Sequence, residues 1–223
     1  PRSRFAEWLG ATAAEALASG QVDEWGVWWR GGGFHHFAHV ESPLRGIQDF
    51  ARLKEYPWPD LDQSYRFAGL RERVAELHAR GFAVAAFAGS VFEQSWYLRG
   101  MEDLMMDMLA APEVAHYFFE RTAAFQQFAA GQFARAGVDV INTGDEVAGQ
   151  QGLLMRIETW REFLKPRLAA TVRAVKRANA ASFVFYHSDG HLDPLIPDLI
   201  ETGIDILNPI QPECMDPAAV KRQ

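Results

Sequence analysis

The strongest chemical cluster in the sequence is His187-Ser188-Asp189-Gly190-His191, directly after the apolar run Ser182-Phe183-Val184-Phe185-Tyr186. A histidine at a strand end with a carboxylate two residues on directs both side chains toward one cavity. A divalent metal could use that pair, and so could a general base with its orienting acid. A plainer alternative is a strand end whose Asp189-Gly190 makes the turn, with Asp189 or His191 capping the next helix. Three further apolar runs also carry polar residues just past their ends. Phe82–Ala88 is followed by Glu93, Val138–Asn142 by Asp145 and Glu146, and Ile204–Asn208 by Gln211 and Glu213. Any one of these has an ordinary alternative: Asp145, for instance, could satisfy backbone donors in a turn. Their recurrence at four run ends points to a polar active-site mouth.

Other combinations carry less. His35-His36-x-x-His39 has metal-like composition, but adjacent histidines in a strand point to opposite faces, and the segment reads as a solvated loop. Trp25, Trp28, Trp29 and Phe34 could stack on a flat ligand or form an aromatic core. The sequence contains no phosphate-binding P-loop, no Gly-x-Gly-x-x-Gly after a strand, no Gly-x-Ser-x-Gly and no His-Glu-x-x-His.

Strands and helices in alternation must position the mouth. Near-continuous apolar runs without polar alternation suit strands buried on both faces of a parallel sheet. Five candidate strands fall at 22–29, 82–88, 138–142, 182–187 and 204–208, the first reading equally as a hairpin arm. Helical spacing covers 4–18, 46–54, 66–80, 102–110 and 113–136 (with Pro112 at its start), then 158–179 with a kink at Pro166 and a short crossover over 192–202. This alternation predicts an α/β architecture with right-handed crossovers. Side chains at the carboxyl ends of such strands converge on one face, where the chemistry of these folds sits.

The chain has 223 residues, 48% hydrophobic and 23% charged, which is ordinary globular usage and enough for a sizeable core. A net charge of −7 argues against a nucleic-acid partner, since such binding needs a basic face. No apolar run reaches the roughly 18 to 20 residues that span a bilayer. The single cysteine, Cys214, cannot form an internal disulfide, and this fits a reducing, cytoplasmic setting.

Several of these stretches together resemble the uroporphyrinogen decarboxylase superfamily. They are Gly144-Asp145-Glu146-Val147-Ala148-Gly149-Gln150-Gln151-Gly152, Trp160-Arg161-Glu162-Phe163-Leu164-Lys165-Pro166-Arg167, Phe185-Tyr186-His187-Ser188-Asp189-Gly190 and Gly203-Ile204-Asp205-Ile206-Leu207-Asn208-Pro209-Ile210-Gln211. Asp23-Glu24-Trp25-Gly26, Phe92-Glu93 and Leu98-Arg99-Gly100 fit as well. The resemblance implies a (β/α)8 TIM-type barrel, with the five candidate strands as its second to sixth. The whole of 1–223 then reads as one barrel domain truncated at both ends, with an open sheet and an exposed core at its cut edges.

The superfamily includes the haem-pathway decarboxylase and methyltransferases that move methyl groups between corrinoid proteins and thiol or folate acceptors. The decarboxylase branch, which needs no cofactor, handles a tetrapyrrole with eight carboxylates and implies an arginine-rich motif that this sequence lacks. Acids at the strand ends would repel such a polyanion. The methyltransferase branch implies zinc held by a His-x-Cys pair and a later cysteine. Here His187 matches the histidine, Asp189 stands in place of the cysteine, and the third ligand would fall beyond Gln223. A harder His/carboxylate site is then implied. The resemblance thus implies an enzyme of metal-assisted methyl transfer or demethylation involving a corrinoid carrier. Its metal ligands would be His187 and Asp189, with His187, Asp145 and Glu146 catalytic and Glu93, Gln211, Trp25 and Asp23 toward substrate. Uroporphyrinogen decarboxylation and a non-catalytic barrel that binds a small ligand or a corrinoid protein are the alternative readings.

Overall fold

The computed structural model describes residues 2–31 and 39–222; His35, His36 and Phe34 therefore lie outside the described residues. The first half contains α1 (Ala6–Leu9), α2 (Ala13–Ser19), β1 (Trp28–Arg30), β2 (His39–Glu41), α3 (Phe50–Lys54), α4 (Leu70–Ala79), β3 (Ala85–Phe87), α5 (Phe92–Arg99) and α6 (Met101–Ala110). The second half contains α7 (Pro112–Ala136), β4 (Val140–Gly144), β5 (Ala148–Gly149), β6 (Gly152–Leu153), α8 (Ile157–Phe163), α9 (Lys165–Ala178), β7 (Phe183–His187), α10 (Ile196–Thr202), β8 (Ile206–Asn208) and α11 (Pro217–Val220). Two compact units result: Pro1–Asp60 with Gln94–Ala115, and Leu61–Glu93 with His116–Gln223. Among the described residues no helix is long and apolar enough to cross a membrane.

In the first unit β1 and β2 form an antiparallel pair with Trp28 opposite Glu41. The expected strand over 22–29 is thus confined to its last residues. The cause is Asp23, whose Oδ1 accepts the N–H groups of Trp25 and Val27 and rolls the segment into a turn, while its Oδ2 accepts the Trp29 indole N–H. Burial raises the Asp23 carboxyl above its usual range, and these hydrogen bonds oppose the rise. Arg99, only 2% exposed, organises the rest of this unit: it donates to Asp107 at 2.8 Å, to Asp103 at 3.0 Å and to the Leu44 carbonyl at 2.9 Å. A guanidinium so buried is tolerated because its donors are matched.

The second unit is built on a parallel sheet of order β3-β4-β7-β8. Four of the five candidate strands are here, each returning through helices. On one face the rows Ala86/Ile141/Val184 and Thr143/Tyr186/Leu207 are formed by register, and Ile141, Val184, Thr143 and Tyr186 are buried. On the other face successive rows are Ala85/Val140/Phe183, Phe87/Asn142/Phe185/Ile206 and, at the carboxyl end, Gly144/His187/Asn208. Phe87 and Phe183 on this second face are 61% and 51% exposed. Side-chain alternation therefore puts Tyr186 on the buried face and His187 on the open one.

The amino ends of the strands share a device. Gly137-Val138-Asp139-Val140-Ile141-Asn142 and Gly203-Ile204-Asp205-Ile206-Leu207-Asn208 repeat one pattern, and each aspartate accepts a backbone N–H from the preceding neighbour strand's start. Asp139 Oδ2 takes the Val84 N–H at 2.7 Å and Asp205 Oδ2 takes the Val184 N–H at 2.7 Å. A cationic or imidazole group from the preceding helix completes each: His78 for Asp139, Lys176 for Asp205. The bond from Val84, with His78 beside it, holds the Asp139 carboxyl below its usual range. The expected single helix over 158–179 is two, because Leu164 (φ −109°, ψ −42°) breaks the run before Pro166 enters the first turn of α9.

Candidate active site at the carboxyl ends of the parallel strands

His187, the last residue of β7, and Glu146, two residues past β4, meet at the open mouth of the second unit. His187 Nε2 lies 3.1 Å from Glu146 Oε1 and 3.9 Å from Asp189 Oδ1. One ligand atom from each of the three residues falls within 4.8 Å of the others. Their side chains are 42%, 35% and 63% exposed, so the cluster is open to a substrate. A ring nitrogen and two carboxylates form a donor set suited to a borderline or hard divalent cation, and the residues present fit such an ion.

Neighbouring chain holds this triad. The Asp189 N–H donates to Glu146 Oε2 at 2.8 Å, and the Gly190 N–H donates to Gln211 Oε1 at 3.0 Å. Ser188, fully buried, accepts the Val147 N–H on its hydroxyl and donates its own N–H to the Asn208 carbonyl at 3.0 Å. Two glycines allow the close approaches. A Cβ on Gly144 would stand 2.1 Å from the His187 carbonyl oxygen, and one on Gly190 (φ +87°) would stand 2.5 Å from the Gly149 oxygen. The ends of β4 and β7, next to Glu146 and at His187, thus meet at a contact that no side chain could enter.

Asp145 and Glu146 are adjacent and do different work. Asp145 is buried, and its Oδ1 accepts three N–H groups, from Val91 at 2.8 Å, Phe92 at 2.6 Å and Glu93 at 3.2 Å. These are the orphan donors at the start of α5, so Asp145 caps that helix and sets the place of Glu93 in its first turn. Burial raises the Asp145 carboxyl well above its usual range and the nearby Glu93 charge adds to the rise, against the three N–H bonds. Tyr186, across the sheet from His187, is likewise raised by burial and by the charges of Asp145 and Glu146, and stays protonated.

Gln211 is brought to the triad as a loop anchor. His191 turns its backbone to the Gly149 carbonyl at 2.9 Å, and Glu213 is exposed outside the cluster. Asp23 and Trp25 belong to the first unit, where Asp23 holds the turn and Trp25 is 8% exposed. Asn208 was not among the residues singled out by the strand-end pattern, although it is the polar end of its strand and pairs in register with His187.

A methyltransferase from Methanosarcina mazei superposes with a TM-score of 0.63 at 19% sequence identity, covering 84% of this chain and 53% of its own. The chain therefore spans about half the length of the structure it matches. The shared architecture is of the (β/α)8-barrel type, represented among the described residues by the four parallel strands. No curated protein matches the sequence. The family profile of Uroporphyrinogen decarboxylase (URO-D) matches residues 33–221. On that match, over most of its length, the chain belongs to the uroporphyrinogen decarboxylase family.

Proposed function

We propose that this chain carries the acceptor-activating site of an enzyme of methyl transfer or demethylation, working with a divalent cation and a corrinoid methyl carrier. The observation that carries the reading is the convergence of Glu146, His187 and Asp189 within 4.8 Å. These three would hold the cation. When bound it supplies Lewis acidity, lowering the pKa of an acceptor thiol or hydroxyl so that it attacks as an anion. His187, Glu146 and Asp189 would orient the acceptor through the ion, the two carboxylates would supply countercharge, and the acceptor's proton would leave to solvent at the open mouth. Asp145 acts through Glu93, placing it at the mouth to meet substrate, and Gln211 keeps the His187–Gly190 loop in position. A methyltransferase among the structural neighbours supports this branch. The acidic mouth supports it too, because three carboxylates would oppose a substrate that is itself a polyanion.

Two measurements test the reading. Metal content of the purified full-length protein is expected near one divalent ion per chain, falling below about a tenth of that in His187→Ala. Methyl transfer from a methylated corrinoid to a thiol should be lost in the same variant. Negligible metal in both proteins sinks the ligand assignment. Release of carbon dioxide from uroporphyrinogen by the wild-type protein, with no methyl transfer, would favour the decarboxylase branch.

A further inference from the structure

We infer that Asn208 is a positioning residue for His187, fixing which ring nitrogen faces the carboxylates; the inference rests on the proposed reading of the triad. The two residues pair in register across β7 and β8, so their side chains stand side by side on the same face of the sheet. His187 Nδ1 lies 2.9 Å from Asn208 Oδ1. An amide oxygen only accepts, so His187 Nδ1 carries the hydrogen and donates it. Nε2 is then the nitrogen that faces Glu146 and Asp189, donating to Glu146 when the ring carries both hydrogens and offering its lone pair to a cation when it carries one.

Packing does not do this job. The His187 side chain is 42% exposed, and rotation about its outer torsion is broad and two-fold. A half-turn of the ring would exchange nitrogen for carbon at the triad. The bond from Asn208 selects one orientation and one tautomer together. Asn208 also accepts the Ser188 N–H on its carbonyl, at 3.0 Å. One residue therefore sets the ring and the first peptide of the loop that brings Asp189 round.

Asn208→Leu keeps approximate size and removes the acceptor. Asn208→Asp restores an acceptor oxygen and serves as the rescue. Long-range 1H–15N NMR of the full-length protein without added metal, at a pH where the ring is neutral, reads the tautomer directly. The wild-type protein and Asn208→Asp should show His187 protonated on Nδ1, and Asn208→Leu should shift to the Nε2–H form. With zinc as the probe, affinity should fall about 10- to 100-fold in Asn208→Leu and stay within a few-fold in Asn208→Asp. An Nε2–H tautomer in the wild-type protein overturns the inference, and that measurement needs no variant to fold. An unchanged tautomer in a folded Asn208→Leu also overturns it. If the tautomer results stand but the wild-type protein takes no zinc, the metal reading fails and the positioning role survives. Zinc affinity equal in wild type and Asn208→Leu, with the tautomer unmoved, fails the positioning role alone.

Discussion

The backbone N–H of Asp189 donates to Glu146 Oε2 at 2.8 Å, so one proposed ligand holds the peptide that presents another. Glu146 has two oxygens with two tasks: Oε2 takes this bond, and Oε1 faces His187 Nε2 at 3.1 Å. Removing the Glu146 carboxylate therefore loosens the loop as well as subtracting a donor.

Asp189→Cys should turn a hard oxygen donor into a thiolate and move the site toward softer metals. Competition between zinc and manganese for the purified protein is expected to shift toward zinc by about tenfold or more. An unchanged ratio would mean that Asp189 does not touch the ion.

Gly144→Ala should be severe for a reason that is purely steric. The new Cβ would stand 2.1 Å from the His187 carbonyl oxygen and 2.8 Å from its nitrogen, both backbone atoms that cannot swing away. The β4–β7 ladder must part, at a cost of about 3 kcal/mol or more. At about 2–4 °C per kcal/mol for a chain of this size, Tm should drop by about 6–12 °C or the protein should fail to accumulate. A melting curve within a degree of wild type would refute the close approach.

Asp145 separates acceptor geometry from charge. Asp145→Ala strands three N–H groups at the start of α5 and should cost about 2–4 kcal/mol. Asp145→Asn keeps an acceptor oxygen and should cost under about 1 kcal/mol. Because the folded carboxyl titrates above its unfolded value of about 3.9, the folded state holds that proton more tightly. Its contribution is complete below about pH 3.9 and erodes as pH rises through the folded value. Asp145→Asn should lack this slope in urea unfolding measured across pH, and a slope identical to wild type would refute the assignment.

Asp198 gives the opposite sign. Hydrogen bonds from Arg161, at 2.9 and 3.0 Å, and from Lys165, at 2.6 Å, lower its carboxyl to about 2. Its stabilisation is present in full above the unfolded value of about 3.9 and is lost as pH falls toward 2. Asp198→Asn should therefore narrow the stability difference between pH 5 and pH 2. Equal acid sensitivity in the two proteins would show that the cluster is open in solution.

The parallel sheet was legible because its strands are short apolar runs of β-branched and aromatic residues ending in polar ones, as in Phe183-Val184-Phe185-Tyr186-His187. The convergence of Glu146, His187 and Asp189 follows from the same strand ends. What escaped depends on which way a side chain turns. Asp145 and Glu146 are neighbours in sequence, yet only the second reaches the mouth, because the first is drawn to the open donors of a helix more than fifty residues earlier. The Trp25–Trp29 segment has strand-like composition, but one carboxylate at Asp23 folds it back. Asn208 matters through a partner 21 positions away, and spacing along the chain cannot show that.

Asp139 and Asp205 fasten neighbouring strands at the ends remote from the mouth. Alignment of the strands is thereby set at the ends away from the Glu146–His187–Asp189 cluster, and the opposite ends are released from that duty. A substitution at a proposed ligand, such as Asp189→Cys, should therefore leave one strand in place against the next.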